Sequence, residues 1–268
     1  MRREIVGVVL VHNEDVFVEQ AIGNTAAFCD RIYAADHMST DGTWAVLERL
    51  AGEYDHLEAC RVRQAGESHR LIEGYAGTDT WVFAVDGDEL YDPAALARMR
   101  EELLEGAHLD VFKVAGNVLN CVELDLEGGV ARGYLSPPSR SITKLYNFSA
   151  IDSWTGCPER LHGGTIAMRE GHRRDSCDNI GEQLSWHESP LRCLHACFLR
   201  RSSADPAPAT AAKARPILEE SGLHDRTWRG AVIRRLRRRP SPDVSDWKRE
   251  KYMRGALTTV EAAPFFPG

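Results

Sequence analysis

Long apolar runs are missing from this chain of 268 residues. None approaches the roughly 20 residues that span a bilayer. Met1-Arg2-Arg3-Glu4 leads straight into Ile5–Val11, a run too short for a secretory segment with its cleavage site, which reads as a buried strand. A cytoplasmic protein is therefore expected. A cysteine framework is also missing. The seven cysteines (Cys29, Cys60, Cys121, Cys157, Cys177, Cys193 and Cys197) are odd in number, scattered and without a C-x-x-C pair, which excludes a disulfide scaffold. Cys193 and Cys197 flank His195, but the second ligand pair of a structural zinc site is absent. No internal repeat is visible.

What is present is ordinary globular composition, 43% hydrophobic and 27% charged, with enough length for a substantial core. The net charge of −7 hides an asymmetry. Residues 1–191 carry −15, while residues 192–254 carry +9. The densest basic stretch is Arg234-Arg235-Leu236-Arg237-Arg238-Arg239. A basic segment on an acidic body suits a phosphate-bearing ligand or peripheral contact with an anionic membrane surface. Aromatic residues are too sparse there for a nucleic-acid stacking surface, so no nucleic-acid partner is expected.

The first 115 residues alternate between strand and helix patterns. Strands are predicted at Ile5–Val11, Arg31–Ala35, Leu57–Val62, Trp81–Val85 and Asp110–Ala115. Helices are predicted over Asp15–Cys29, after Asp41-Gly42-Thr43, over Ser68–Ala76 and from Pro93. Unbroken apolar strands in this rhythm imply an α/β fold with a mostly parallel sheet flanked by helices. Beyond about residue 116 the rhythm fades. Arg140–Phe148 suits a strand, residues 150–190 have no clear period, Asp205–Pro216 reads as a linker, and residues 217–254 read as helical pieces. The division expected is a ligand-binding half at 1–116, a second half of the same domain at 117–200, and a basic C-terminal segment at 201–268.

Ligands of parallel sheets sit beyond the carboxyl ends of the strands. Three strand ends are rich in polar residues: His12-Asn13-Glu14, Asp36-His37-Met38-Ser39-Thr40-Asp41, and Asp86-Gly87-Asp88-Glu89. The last is the sharpest. Clustered carboxylates repel unless something positive joins them, and Mg²⁺ or Mn²⁺ suits such oxygens when a diphosphate completes the shell. Gly87 lets the backbone approach a ligand closely. Asp41 and Thr43 are expected to cap the following helix, whereas Asp36 is freer to meet a base or ribose.

Taken together, V-V-L-V-H-N-E, D-H-M-S-T-D-G-T and W-V-F-A-V-D-G-D-E-L resemble a family 2 glycosyltransferase of the GT-A fold. The resemblance covers roughly residues 4–120, and its variant is similar to the branch of lipopolysaccharide-core glucosyltransferases. It implies a Rossmann-like GT-A sheet, a mixed acceptor-side region and a helical C-terminal segment. It also implies sugar transfer from a nucleoside-diphosphate sugar, with uridine as the base, to an acceptor hydroxyl with inversion. Val11, Asn13, Glu14, Asp36, Asp86 and Gly87 would hold the nucleotide. Asp88 and Asp86 would bind Mn²⁺ or Mg²⁺, with His195 as a third ligand; the alternative for His195 is a histidine satisfied inside its apolar run. Glu159 of Cys157-Pro158-Glu159-Arg160-Leu161-His162 matches the acceptor-side glutamate and is the first choice for the general base, with Asp152 in reserve. The basic stretch Lys248–Gly255 suits a lid on the diphosphate through Lys251 and Arg254. His37 stands where a second Asp is usual. The acceptor would be a small molecule, saccharide or peptide.

Two other readings compete. A nucleotidyltransferase that makes a nucleotide sugar would carry a glycine-rich, basic phosphate loop after the first strand, and His12-Asn13-Glu14 is not one. A non-catalytic sugar-nucleotide-binding protein would not need Asp86, Asp88 and Glu89 all intact.

Overall fold

The computed structural model describes residues 3–205 and 249–267. Fourteen strands are present among them: β1 Glu4–Val11, β2 Arg31–Asp36, β3 Leu57–Arg61, β4 Thr80–Asp86, β5 Glu89–Tyr91, β6 Lys113–Ala115, β7 Asn117–Asp125, β8 Val130–Ser136, β9 Lys144–Asn147, β10 Ile151–Thr155, β11 Thr165–Met168, β12 Cys177–Asn179, β13 Arg192–His195 and β14 Leu257–Glu261. The helices are α1 Val18–Ala26, α2 Thr43–Glu53, α3 Glu67–Arg70, α4 Pro93–Glu105 and α5 Ile180–Gln183.

The strands form a seven-stranded sheet in the order β12-β6-β9-β4-β1-β2-β3, a five-stranded sheet in the order β14-β8-β7-β13-β5, and the pair β10-β11. β3, β2, β1 and β4 are parallel neighbours. The next strand, β9, runs antiparallel to both β4 and β6. The protein is thus α/β with mixed sheets. A mostly parallel sheet is a correct description of its first half alone.

The apolar alternation of the central strands explains why both faces are covered. Ile5, Val9 and Val11 of β1, with Trp81, Phe83 and Val85 of β4, pack into one core with α1, α2 and α4. Val6, Val8, Val82 and Ala84 face the other way, against Phe112, Phe148 and Trp154. Strands buried on both faces read as unbroken apolar runs for this reason. Helix α4 starts as its sequence dictates. Pro93 occupies the first turn and Asp92 accepts hydrogen bonds from the Ala94 and Ala95 amides. The expected helix over Ser68–Ala76 is instead α3 followed by a 3₁₀ turn at Glu73–Tyr75. Gly74 lies within that turn and weakens a continuous α-helix.

The five-stranded sheet is the part that positions the site. β5 follows directly on the acidic turn at the end of β4, and β13 lies between β5 and β7. Cα register places His195 opposite Glu89 on one side and Asn120 on the other. Among the described residues no helix is long and apolar enough to cross a membrane. The Arg234–Arg239 cluster, Lys248 and most of the expected helical C-terminal segment lie outside the described residues; in the described part, 249–252 are helical and Ala263–Phe265 forms a 3₁₀ turn.

Candidate active site

A cleft of about 440 Å³ opens at the carboxyl ends of β1 and β4. Of the residues singled out in the sequence, Val11, Glu14, Asp86, Asp88, Glu159 and His195 line it. Beside them are cations that motif reasoning passed over: Lys144, Arg160 and Arg201.

The cations answer the repulsion between the carboxylates. Lys144 Nζ lies 2.7 Å from Asp86 Oδ2 and 3.4 Å from Glu89 Oε1. The Arg160 guanidinium pairs with the other oxygen of Asp86. It is 1% exposed and also donates to the Val85 and Leu10 carbonyls, at 3.3 and 3.5 Å. Its Nε is buried with no hydrogen-bond partner among the described residues. Burial pulls the Arg160 pKa down to about 10, so it stays charged at neutral pH. Arg201 Nη1 lies 2.8 Å from Glu14 Oε1 and 3.0 Å from Asp88 Oδ2.

Burial would lower the Lys144 pKa, but Glu89, Glu159 and Asp88 around it raise it on balance. Glu89 is fully buried, and desolvation pushes its carboxyl up to about 8 against the pull of Lys144. The fold therefore favours protonated Glu89. That stabilisation is complete below the unfolded value of 4.5 and is lost as pH rises through about 8. Glu89→Gln cannot ionise. It is expected to gain stability relative to the parent between pH 5 and 8, by on the order of a few kcal/mol, and to hold that gain above pH 8. Urea midpoints at pH 5 and 9 check this, and a constant difference between the two proteins would refute it.

His195 is held by its second nitrogen. Asn120 Nδ2 donates to the Tyr134 carbonyl at 3.4 Å, which leaves Asn120 Oδ1 to accept from His195 Nδ1 at 2.8 Å. Nε2 then faces Asp88 Oδ2 at 3.8 Å, and Tyr252 packs edge-on against the ring. An imidazole nitrogen and a carboxylate oxygen converging this way form a donor pair that fits Mn²⁺. That Asp88 oxygen also pairs with Arg201, and both oxygens of Asp86 meet cations. Among the described residues no three His, Cys, Asp or Glu side chains gather into a metal cage. A cation held by Asp88 and His195 would therefore take its remaining ligands from phosphate and water, as Mg²⁺ and Mn²⁺ commonly do.

The other expected site residues are placed differently. Asp36 is 0% exposed; it pairs with Arg61 at 3.2 Å and accepts from the Ser39 amide at 3.1 Å. Its side chain closes its own turn, and His37 lines the cleft instead. Asn13 adopts a left-handed backbone, φ 54°, and its Oδ1 accepts from the Thr40 and Asp41 amides at 2.7 and 3.3 Å. Asn13 thereby ties the end of β1 to the turn after β2. Gly87 serves close packing: a Cβ there would lie 2.6 Å from Glu14 Oε2 and 2.8 Å from Val11 Cγ1.

Asp152 does not line the cleft; it is exposed and pairs with Arg169. Glu159 lies 3.8 Å from both Arg160 Nη1 and His162 Nδ1. Burial, with Lys144 and Arg160 nearby, lowers the His162 pKa. Lys251 and Arg254 contribute backbone contacts to Arg140 and Ser139, while Tyr252 between them lines the cleft.

No protein-family model matches the chain, and no curated protein matches it in sequence. Among solved structures it is similar to the mannosyltransferase PcManGT from Pyrobaculum calidifontis, solved in complex with GDP-Man and Mn²⁺. The identity there is 21% over 46% of this chain and 36% of that one, with a TM-score of 0.33. It is also similar to a UDP-glucose pyrophosphorylase complexed with UDP-glucose, at 10% identity over 72% of this chain and 90% of that one, with a TM-score of 0.28. The chain thus spans 36% of the mannosyltransferase's length. Overlaps this shallow do not say what this chain binds.

Proposed function

We propose that the protein transfers a sugar from a nucleoside-diphosphate sugar, with UDP as the first candidate nucleotide, to an acceptor hydroxyl. One observation carries the reading: carboxylates and cations share a single cleft at the strand ends, with Asp86, Asp88 and Glu14 beside Lys144, Arg160 and Arg201. A ligand combining a diphosphate with a divalent cation offers each set its opposite charge.

In this reading Asp88 and His195 hold Mn²⁺ or Mg²⁺, which when bound neutralises charge on the diphosphate. Lys144 and Arg160 add fixed positive charge where the leaving group departs, so little reorganisation is needed at the moment of transfer. Their pairing with Asp86 orients them beforehand. His12 and His37, with ring centroids 5.8 Å apart, are assigned to the base end, since Asp36 is committed to its own turn. Lys251 and Arg254 remain candidates for the diphosphate only if residues 249–254 change their contacts on binding. Glu159, partly exposed on the cleft wall, takes the proton of the acceptor hydroxyl. With that base opposite the leaving group, displacement is in line and the anomeric carbon inverts.

The test is a thermal-shift panel of UDP-, GDP- and dTDP-sugars with and without Mn²⁺, followed by product analysis. A rise in Tm of several degrees for one nucleotide class, and release of a nucleoside diphosphate on transfer, are expected. Pyrophosphate release would identify a nucleotidyltransferase, and binding without turnover a non-catalytic binder. Absence of any shift would reject the reading.

Glu159→Gln separates chemistry from binding. It is expected to lower kcat by roughly 10²–10⁴-fold, the usual worth of a general base, with donor KM changed less than threefold. Equal losses in both would reassign Glu159 to binding.

A further inference from the structure

The place beside Asp88 is already held by a cation of the chain. One nitrogen of Arg201 spans two buried carboxylates, Glu14 at 2.8 Å and Asp88 at 3.0 Å. Arg201 is itself 6% exposed, and the backbone at and just after it is tied down. The Arg201 carbonyl accepts from the Val16 amide at 3.1 Å, Ser202 Oγ donates to Asp41, and the Ser203 amide donates to Asp15 Oδ1 at 2.6 Å. The guanidinium is therefore built into the site.

A divalent ion approaching Asp88 meets a like charge and draws on a carboxylate that Arg201 uses. A diphosphate changes this balance, because its oxygens can accept from Arg201 while the metal takes Asp88. We propose that Arg201 is a resident counter-ion that competes with the metal at Asp88 and passes to the diphosphate when the donor binds. Metal and nucleotide would then bind synergistically, each weakly alone. This inference rests on the nucleotide-sugar reading above.

Mn²⁺ binding followed by electron paramagnetic resonance tests it without turnover. In the parent protein, UDP is expected to tighten Mn²⁺ binding at least tenfold beyond the affinity of UDP alone for the ion. Arg201→Gln keeps a hydrogen-bond donor but removes the charge. It is expected to bind Mn²⁺ about tenfold more tightly than the parent without nucleotide, to lose most of the synergy, and to gain more Tm from Mn²⁺ than the parent does. Arg201→Lys keeps the charge and is expected to behave like the parent. Equal Mn²⁺ affinity in the parent and Arg201→Gln overturns the role of Arg201. If UDP still tightens Mn²⁺ in both, the nucleotide-sugar reading stands. If no nucleoside diphosphate affects Mn²⁺ binding in any of the proteins, that reading falls as well. Should Arg201→Gln fail to fold, the parent decides: no synergy with UDP overturns the inference.

Discussion

Under the proposed function, Asp88→Asn is expected to lower sugar transfer by about a thousandfold while the protein still folds, a loss of ~4 kcal/mol in transition-state stabilisation. The substitution preserves shape and can still accept a hydrogen bond from Arg201, and Glu14 remains to balance that guanidinium. What disappears is the negative charge that faces His195 Nε2. The metal requirement is expected to disappear with the activity. Steady-state kinetics across a Mn²⁺ titration, with circular dichroism as the folding control, checks this. A fully active variant that still needs metal would remove Asp88 from the metal site.

Arg160→Met is expected to cost about 2–3 kcal/mol of stability, because it takes the donor from two carbonyls inside the fold and one of two cations from the partly exposed Asp86. Methionine fills much of the volume, but it leaves the Val85 and Leu10 carbonyls without this donor. Lys144 alone then balances Asp86. Under the proposed function, transfer is expected to fall as well, by about a hundredfold, because Asp86 and Lys144 would lose the partner that orients them and the leaving group would lose a cation. Urea unfolding measures the first effect and kcat the second. Stability within ~1 kcal/mol of the parent would show that Lys144 suffices as counter-ion.

The two parts of the molecule differ in how legible they were, and the reason is the range of the contacts. Ile5–Val11 and Trp81–Val85 announce themselves because both faces of the central strands are buried, and Asp92-Pro93 marks the start of α4 through local capping chemistry. The strand ends carrying Glu14, Asp86 and Asp88 follow from those boundaries. The five-stranded sheet does not, since it pairs β13 with β5 and β7, and β14 with β8, from distant parts of the chain, and no periodicity reports such pairing. The electrostatic argument was sound in part. The acidic turn demanded positive charge, but a carboxylate motif cannot reveal that Lys144, Arg160 and Arg201 supply much of it. Arg201 lies 113 positions from Asp88. Two hints were available: Lys144 falls in the expected strand Arg140–Phe148, and Arg160 directly follows Glu159. Asp36 looked free to meet a base or ribose because it ends a strand, yet the tight turn to Ser39 draws its oxygens inward.

His195, Glu89 and Asn120 share one rung of the second sheet, and that arrangement constrains what the chain tolerates there. Side chains along a strand alternate between faces, so slipping β13 by a single residue would turn His195 away and present Leu194 or Ala196 to Asp88. A one-residue insertion or deletion in β13 should therefore silence the protein more completely than exchanging His195 itself, because it displaces the whole rung rather than one atom of it.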